Sequence, residues 1–497
     1  MVVGPQFKKG DMEAILKIPN WIKGKEAMPE ADKWIPKFNP HTGQLLSSIA
    51  DSSPKDIDRA IDAAKEAFLT WSNLTPVRRG QILMDIVNVM RNSFNDLADC
   101  VSIETGKPLQ DAANEVRAAI LQGEFFAGEG MRLHGRTLTS AMPGKQSFTI
   151  RQPHGIAGLI VPANTPIANI AWKVFPALIC GNTVVLKAAE DAPQIAHLFV
   201  RIAEEAGLPE GVLNIIQGLG NSAGSSLVEH PMVSVISFTG STNVGRWIGE
   251  VAARRLARVS LELGGKNSFV VCDDANIDKA VHWALLSAFS NAGQRCAAGS
   301  KMLVFKDVYN EFKNKFVDRA KELKLGISVG SDLGPVINLR QKQNIIAAIE
   351  TAKNEGGIIL CGGGEPLNAE LKNGYYIQPT VIEGLANSSS LNRTEIFGPV
   401  TTIQSIENLK EALEIANSSK YGLTSAIHTQ SINVAMNFAK QVKAGVANIN
   451  IGTFGSEAHM PFGGFGESGN GTREPGVEAL NVYSELKNIS IFADYIA

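Results

Sequence analysis

Two side chains of this sequence could carry out a thiol-dependent reaction. Glu262, in Leu261-Glu-Leu-Gly-Gly-Lys266, offers a carboxylate as general base, and Cys296, closing Asn291-Ala-Gly-Gln-Arg-Cys296, offers a nucleophile. Cys296 follows a helical pattern that stops at Asn291-Ala-Gly293, which places it in a loop, whereas Cys180 and Cys272 lie in apolar runs and read as core. Only the thiolate is a good nucleophile, and the adjacent Arg295 is a cation that could favour it. The chemistry this pair suggests is an oxidation that passes through a covalent sulfur intermediate.

Three further stretches could hold a nucleotide for that oxidation. Gly218-Leu-Gly220-Asn-Ser-Ala-Gly224 and Phe238-Thr-Gly240-Ser241-Thr-Asn-Val-Gly245 each follow a predicted strand and open a predicted helix. Glycine lets the backbone approach a pyrophosphate, and a helix N-terminus presents free N–H groups and the positive end of its dipole. Neither run has the G-x-G-x-x-G spacing, so the glycines alone favour ordinary tight turns over phosphate binding. Lys187-Ala-Ala-Glu190 ends another predicted strand, at the edge where open α/β sheets bind ligands. Glu190 could accept from ribose hydroxyls and Lys187 donate to them, the alternative being a solvated loop pair.

The elements that must position these residues are legible as changes of texture. Residues 1–52 are punctuated by Pro5, Pro19, Pro29, Pro36 and Pro40 and read as an entry segment of short strands with a turn at Asn39-Pro-His-Thr-Gly43. Ser53-Pro54 opens a helix with Ile57, Ile61, Ala64 and Phe68 on one face, and further helices are predicted over 77–100 and 109–127, broken at 104–108. From Gly155 short apolar runs alternate with helical patterns: strands at 156–161, 183–187, 212–216, 233–238 and 259–263, helices at 170–180 and 194–206. That alternation predicts a parallel, doubly wound sheet. Strands at 268–272, 301–305, 400–406, 423–429 and 446–451, with a helix over 278–290, predict a second α/β unit. The tail from Val482 to Ile491 is strand-like with no obvious local partner, which suggests a sheet edge in another subunit.

Composition bounds the function. A chain of 497 residues predicts two or three structural units, and 44% apolar with 19% charged residues is ordinary for a soluble protein. A net charge of −2 without like-charge blocks argues against nucleic acid or an anionic membrane as partner. Met1 to Gly10 holds Lys8 and Lys9 without a following apolar stretch, so no secretory signal is expected. Five cysteines, an odd and scattered set without Cys-x-x-Cys spacing, speak against disulfides and zinc and for a reducing cytoplasm. His134, His154, His197, His230, His282, His428 and His459 show no paired spacing, and no metal site is expected.

Taken together these runs resemble the NAD(P)-dependent aldehyde dehydrogenase superfamily over nearly the whole chain. The resemblance is carried by Asn39-Pro-x-Thr-Gly, Glu104-Thr-Gly-Lys-Pro108, Pro162-x-Asn164-x-Pro166, Trp172-Lys173, Pro176-Ala-Leu-x-x-Gly-Asn-Thr-Val-Val-Leu-Lys187 and Phe238-Thr-Gly-Ser-Thr. It continues through the Glu262 run, Gly293-Gln-x-Cys296, Glu395-Ile-Phe-Gly-Pro399 and Pro461-Phe-Gly-Gly464. It implies an α/β fold in three parts: a Rossmann-type cofactor domain from 1–130 and 151–261, an α/β catalytic domain over 262–465, and a β oligomerisation arm from 131–150 and 466–497. It also implies oxidation of an aldehyde to a carboxylic acid by Cys296, with Asn164 as oxyanion donor, Glu262 as the base that activates water, and Lys173 and Glu474 as a relay behind it. The cofactor would lie on Lys187, Glu190, Gly220, Gly240, Ser241, Glu395 and Phe397. A homodimer or homotetramer is expected, with NAD preferred and NADP possible.

Three departures from the family pattern stand out. Pro162-Ala163-Asn164 replaces the usual Pro-Trp-Asn, Lys187-Ala188 replaces Lys-Pro, and Asn392-Arg393-Thr394-Glu395 lacks the frequent extra acidic residues. A CoA-acylating aldehyde dehydrogenase is the rival within the fold, and its relatives typically lack a glutamate where Glu262 stands; a catalytically inactive structural homologue is the rival outside enzymes. Specificity is expected from 125–132, the neighbours of Cys296 and 452–459, with Gly128 and Gly130 suggesting room.

Overall fold

The computed structural model describes residues 15–493; Met1 to Gly10 and the last four residues of the expected arm lie outside that range. Two seven-stranded sheets dominate. The first runs, in spatial order, Arg258–Glu262, Val233–Thr239, Ile156–Ile160, Thr183–Lys187, Leu213–Ile216, Asn20–Ile22 and Lys25–Ala27. Its first five strands are parallel, and the entry segment adds the last two as an antiparallel hairpin. Ile156–Ile160 and Thr183–Lys187 are buried at every position, as parallel strands covered by helices on both faces must be. Because Ile156–Ile160 is flanked by the second and the fourth parallel strand, the winding reverses beside it. The crevice at the carboxyl ends there is where such sheets take ligands.

The second sheet runs Ile358–Cys361, Thr380–Glu383, Val400–Ile406, Gly299–Phe305, Asn267–Val271, Thr424–His428 and Val446–Ile449, all parallel except the edge strand Ile358–Cys361. The two edge-side strands at 358–361 and 380–383 carry no strong alternation and were not anticipated.

The helical first quarter is built as expected with one difference. The stretch predicted as a single helix over 77–100 is two, Pro76–Asn92 and Phe94–Thr105, because Ser93 leaves helical geometry with ψ 18°. The second ends on Gly106 in the left-handed region. The helix Leu109–Glu129 packs so tightly on its neighbours that a Cβ on Gly123 would lie 2.5 Å from Val87 and 2.7 Å from Phe175. Of the two glycines expected to give the substrate room, Gly130 is closely packed against backbone and Gly128 faces a side-chain end. A Cβ on Gly130 would meet the Pro76 carbonyl at 2.5 Å, and one on Gly128 the Arg132 guanidinium at 3.1 Å.

The tail does have a partner in its own chain. Ser484–Phe492 pairs antiparallel with Lys145–Pro153 along its full length, from Ser484 opposite Pro153 to Phe492 opposite Lys145, and Thr137–Leu138 completes a three-stranded sheet. The resemblance puts both strands in one arm, whereas local pattern alone does not pair them, because they lie more than three hundred residues apart. Just before that strand the chain passes over the Glu262 run: Leu263 N–H donates to Ser468 at 3.0 Å and the Ser468 hydroxyl to Gly264 at 2.7 Å. Among the described residues no helix is long and apolar enough to cross a membrane.

Candidate active site

The Cys296 loop is held in an uncommon backbone path. Asn291, Ala292 and Gly293 all have φ between 52° and 67°, in the left-handed region that costs a non-glycine residue about 1–2 kcal/mol. Side chains pin the path. The Asn291 amide donates to the Asn164 carbonyl at 3.0 Å and to Gln294 at 3.2 Å, and Asn267 donates to the Cys296 carbonyl at 2.8 Å and to that of Ala298 at 2.9 Å. Gly293 has no substitute, since a Cβ there would fall 2.0 Å from the Gly398 carbonyl. That contact presses the cysteine loop against the Glu395–Pro399 loop.

Asn164 is brought to the same place from the first sheet. Its side-chain amide donates one hydrogen to the Gln294 carbonyl at 3.0 Å, which leaves the second for a developing oxyanion. Its main-chain carbonyl accepts from Lys107 Nζ at 2.8 Å. Lys107 in turn pairs with Glu115 at 2.5 Å, both buried, and Glu115 Oε1 accepts from the Ile167 and Ala168 N–H groups that start the helix Pro166–Ile179. Lys107 stood in the Glu104–Pro108 run, but nothing in the sequence tied it to Asn164.

Around Cys296 the surroundings are apolar: Trp172, Ala297, Leu423, Val446, Phe454 and Phe462 form one cluster with it, and the Trp172 and Phe462 rings meet at a 57° tilt with centroids 5.5 Å apart. Burial pushes the thiol up to about 12, and the nearby charges of Glu395 and Glu262 add to it, outweighing the opposing effects of the Ala297 N–H and of Arg295. The help expected from Arg295 therefore has the right sign and too little weight. Its side chain packs over the Phe454 ring at 5.0 Å.

Glu262 ends its strand with both carboxylate oxygens buried and without a hydrogen-bond partner among the described residues. Burial holds its carboxyl well above the usual range, and the neighbouring Glu474 adds to the shift against Lys173 and Arg473. Lys173 and Glu474 lie behind it as a fully buried pair at 2.8 Å. Ser237 joins them, accepting from Lys173 at 2.6 Å and donating to Glu474 at 2.9 Å, while Tyr483 donates to Glu474 at 3.0 Å. Lys173 and Glu474, expected as a relay, thus sit in a charged cluster with two unforeseen members, and its charges reach Glu262 through space rather than through a hydrogen bond.

Residues expected to hold the cofactor border the carboxyl ends of the first sheet. Lys187 is buried at the end of its strand and pairs with the half-buried Glu190 at 2.7 Å. Burial alone would raise the Glu190 carboxyl, but the charge and hydrogen bond of Lys187 leave it below its ordinary range. Ser241 is the exposed N-cap of the helix Thr242–Arg254 and makes no side-chain cap, so the first-turn N–H groups are presented outward. Gly240 is required by the Phe238 ring, which a Cβ would meet at 2.4 Å, whereas Gly220 opens a π-turn with nothing within 4 Å of a Cβ. Gly220-Asn-Ser222-Ala-Gly224 also has the spelling of a nucleophile elbow, but the Ser222 hydroxyl donates to the Leu219 carbonyl at 3.5 Å.

Glu395 and Phe397 lie on the loop pressed against the cysteine loop. Glu395 accepts from Gly265 N–H at 3.1 Å, and burial raises its carboxyl to about 7. A Cβ on Gly264 would strike it, which accounts for a glycine there. Phe397 is held at φ 57° by Gln341, whose amide donates to the Ile396 and Phe397 carbonyls at 2.8 and 3.1 Å. An outward helix N-terminus, a Lys–Glu pair at the sheet's switch point and a carboxyl beside a nucleophilic sulfur fit a dinucleotide laid along this edge. Among the described residues no group of three His, Cys, Asp or Glu side chains is placed to hold a metal.

Known proteins share this sequence pattern and fold. A model of the aldehyde dehydrogenase family matches residues 27–489. The chain is 36% identical over 475 residues to an α-ketoglutaric semialdehyde dehydrogenase of Bacillus subtilis, covering 95% of this chain and 97% of that one. It is 35% identical over 478 residues to an NADP(+) D-glyceraldehyde dehydrogenase of Picrophilus torridus, covering 96% of each. Among solved structures, PnpE in complex with nicotinamide adenine dinucleotide superposes with a TM-score of 0.94 at 35% identity, covering 97% of this chain and 98% of that one.

Proposed function

The chain belongs to the aldehyde dehydrogenase family and oxidises an aldehyde with NAD(P), and from that premise we propose that Cys296 is the nucleophile, Asn164 the oxyanion donor and Glu262 the hydrolytic base. The observation that carries this reading is the convergence on one loop: Asn164 bonds to Gln294, two residues before Cys296, while the charges of Glu262 and Glu395 both act on the sulfur.

The reaction begins with loss of the Cys296 proton and addition of the sulfur to the aldehyde carbon. The resulting alkoxide is held by the free hydrogen of the Asn164 amide and by the Cys296 N–H, donors whose removal costs about 100- to 1000-fold. Bound NAD(P) supplies the acceptor for the hydride and, in its oxidised form, a positive charge near the sulfur. Loss of hydride leaves a thioester on Cys296. Glu262 takes a proton from water, the hydroxide adds to the thioester carbon, and the carboxylic acid departs as the thiol is restored. Lys173, Glu474, Ser237 and Tyr483 set the charge around Glu262 during that step. The carboxylate at 262 supports water, rather than CoA, as the group that resolves the thioester.

The cofactor lies on Lys187, Glu190, Gly220, Gly240, Ser241, Glu395 and Phe397, and Glu190 supports a preference for NAD over NADP. The cofactor domain comprises 1–130 and 151–261, the catalytic domain 262–465, and the arm 131–150 with 466–497. Exposed Leu138, Leu486 and Phe492 on the arm sheet support a homodimer or homotetramer, and five unpaired cysteines support a cytoplasmic setting. The test is Cys296→Ala, which removes NADH formation from every aldehyde while the protein keeps its fold and its quenching by NADH; aldehyde oxidation by that variant refutes the mechanism.

A further inference from the structure

The start of the helix Leu339–Asn354 touches loops that belong to different parts of the site. Ile337 N–H donates to the Gln294 side-chain oxygen at 2.9 Å, in the cysteine loop. The Gln341 amide holds the Ile396 and Phe397 carbonyls, as described above. Between them the Asn338 amide donates to Asp191 Oδ2 at 2.7 Å, and Asp191 follows Glu190 directly in the chain. Asn338 is also the N-cap of the helix, its side-chain oxygen accepting from Gln341 N–H at 2.8 Å. One amide thus serves two purposes, the oxygen fixing the helix and the nitrogen fixing Asp191.

The bond joins the two halves of the molecule. Asp191 lies in the turn after the first-sheet strand Thr183–Lys187, whereas Ile345 and Ile349 of the helix share a core with Ile382 and Val400 of the second sheet. Asp191 is half-buried, and among the described residues no other hydrogen bond reaches its carboxylate. Burial raises that carboxyl, while the charge of Lys37 and the Asn338 hydrogen bond oppose the rise. Lys37 is itself buried without a hydrogen-bond partner, so it acts through charge alone, which sets no geometry. A hydrogen bond to an ionised group is directional, so Asn338 rather than Lys37 fixes where the carboxylate sits. We infer that Asn338 is a positioning residue for the cofactor, whose bond to Asp191 holds the Glu190 turn at a set reach from the Phe397 loop so that one dinucleotide meets both. This rests on the placement of the adenine ribose at Glu190 proposed above and adds the residue that keeps the turn there. A ligand gripped at both ends binds well only if the spacing of the grips is held before it arrives; otherwise binding must order the turn and loses affinity.

The experiment measures the Kd of NADH by fluorescence, on the complete enzyme, beside the rate at which iodoacetamide alkylates Cys296 without cofactor. Asn338→Ser keeps a capping oxygen and withdraws the amide from Asp191; Asn338→Asp keeps the cap and sets two carboxylates against each other. The Kd should rise about tenfold in the first variant and further in the second, as expected for a hydrogen bond to a charged group, with the alkylation rate unchanged. Adding Asp191→Asn to Asn338→Asp exchanges donor and acceptor, and the Kd should return to within about threefold of the natural value, a rescue that a purely structural role does not give. Unchanged Kd in both single variants, a double variant no better than Asn338→Asp, or an alkylation rate that moves with the Kd each overturns the inference. Glu190→Ser, measured in parallel, separates the two levels. If it weakens NADH binding and the Asn338 variants do not, the inference alone falls; if none of them does, the ribose is not at Glu190 and that placement falls as well.

Discussion

Lys107 Nζ donates to the main-chain carbonyl of Asn164 at 2.8 Å while it pairs with buried Glu115, so a lysine from the segment between two helices of the first quarter fixes the loop that carries the oxyanion donor. Removing Lys107 alone strands a buried carboxylate, a change worth about 3–5 kcal/mol of stability. The informative variant is therefore Lys107→Met with Glu115→Gln. It should keep its fold and lose about 10- to 100-fold in kcat with a much smaller change in KM for the aldehyde, as expected when donors shift by a fraction of an ångström. Adding Asn164→Ala should bring the total loss only to that of Asn164→Ala alone, about 100- to 1000-fold; losses that multiply show that the pair does not act through Asn164.

Glu262 acts after hydride transfer if it is chiefly the hydrolytic base. Glu262→Gln should then give a rapid burst of NADH equal to one per active site, followed by turnover slowed about 100-fold or more. Rapid-quench or stopped-flow traces decide this, and unchanged steady-state turnover excludes the role. Acyl-CoA formation on adding CoA to the natural enzyme would favour the acylating alternative.

The pH dependence follows from two raised groups. Burial places the Cys296 thiol at about 12 and holds Glu262 well above a normal carboxyl, so below those values both carry protons and both are inactive. Raising the pH removes those protons, and activity rises with it. In the unliganded enzyme, alkylation of Cys296 by iodoacetamide should climb about tenfold per pH unit from pH ~7 to ~9 without a plateau. A plateau near neutrality would mean that the thiolate is already formed and that burial does not control it.

Cofactor choice turns on Glu190. The 2′-phosphate of NADP brings about two negative charges to the ribose hydroxyl that Glu190 would otherwise accept from. Repulsion should therefore favour NAD, moderated by Lys187 at 2.7 Å and by the nearby charge of Arg340. Glu190→Ser should shift the ratio of kcat/KM values toward NADP by about tenfold or more. A ratio that does not move, or a natural enzyme that already prefers NADP, shows that Glu190 does not face that hydroxyl.

Much of this molecule was set locally and could be read from the chain. The parallel strands at 156–160, 183–187, 233–239 and 258–262 are apolar runs with helical patterns between them, and that alternation admits little besides a doubly wound sheet. Cys296 and Glu262 stood out because their types and their flanking glycines are unusual in a strand or a helix. Gly293 also announced a turn, though not that it makes space for Gly398, and nothing in the chain announced that Gly264 makes space for Glu395.

What the tertiary structure alone decided depends on contacts between distant segments. The pairing of Ser484–Phe492 with Lys145–Pro153 and the crowding at Gly130 each arise from such packing. Charge is the plainest case. Beside Cys296 in sequence, Arg295 promised a thiolate, yet the sulfur sits among apolar side chains and two carboxyls, and their combined effect outweighs one guanidinium. Residue types specify which groups can ionise; only burial and neighbours in space fix which of them do.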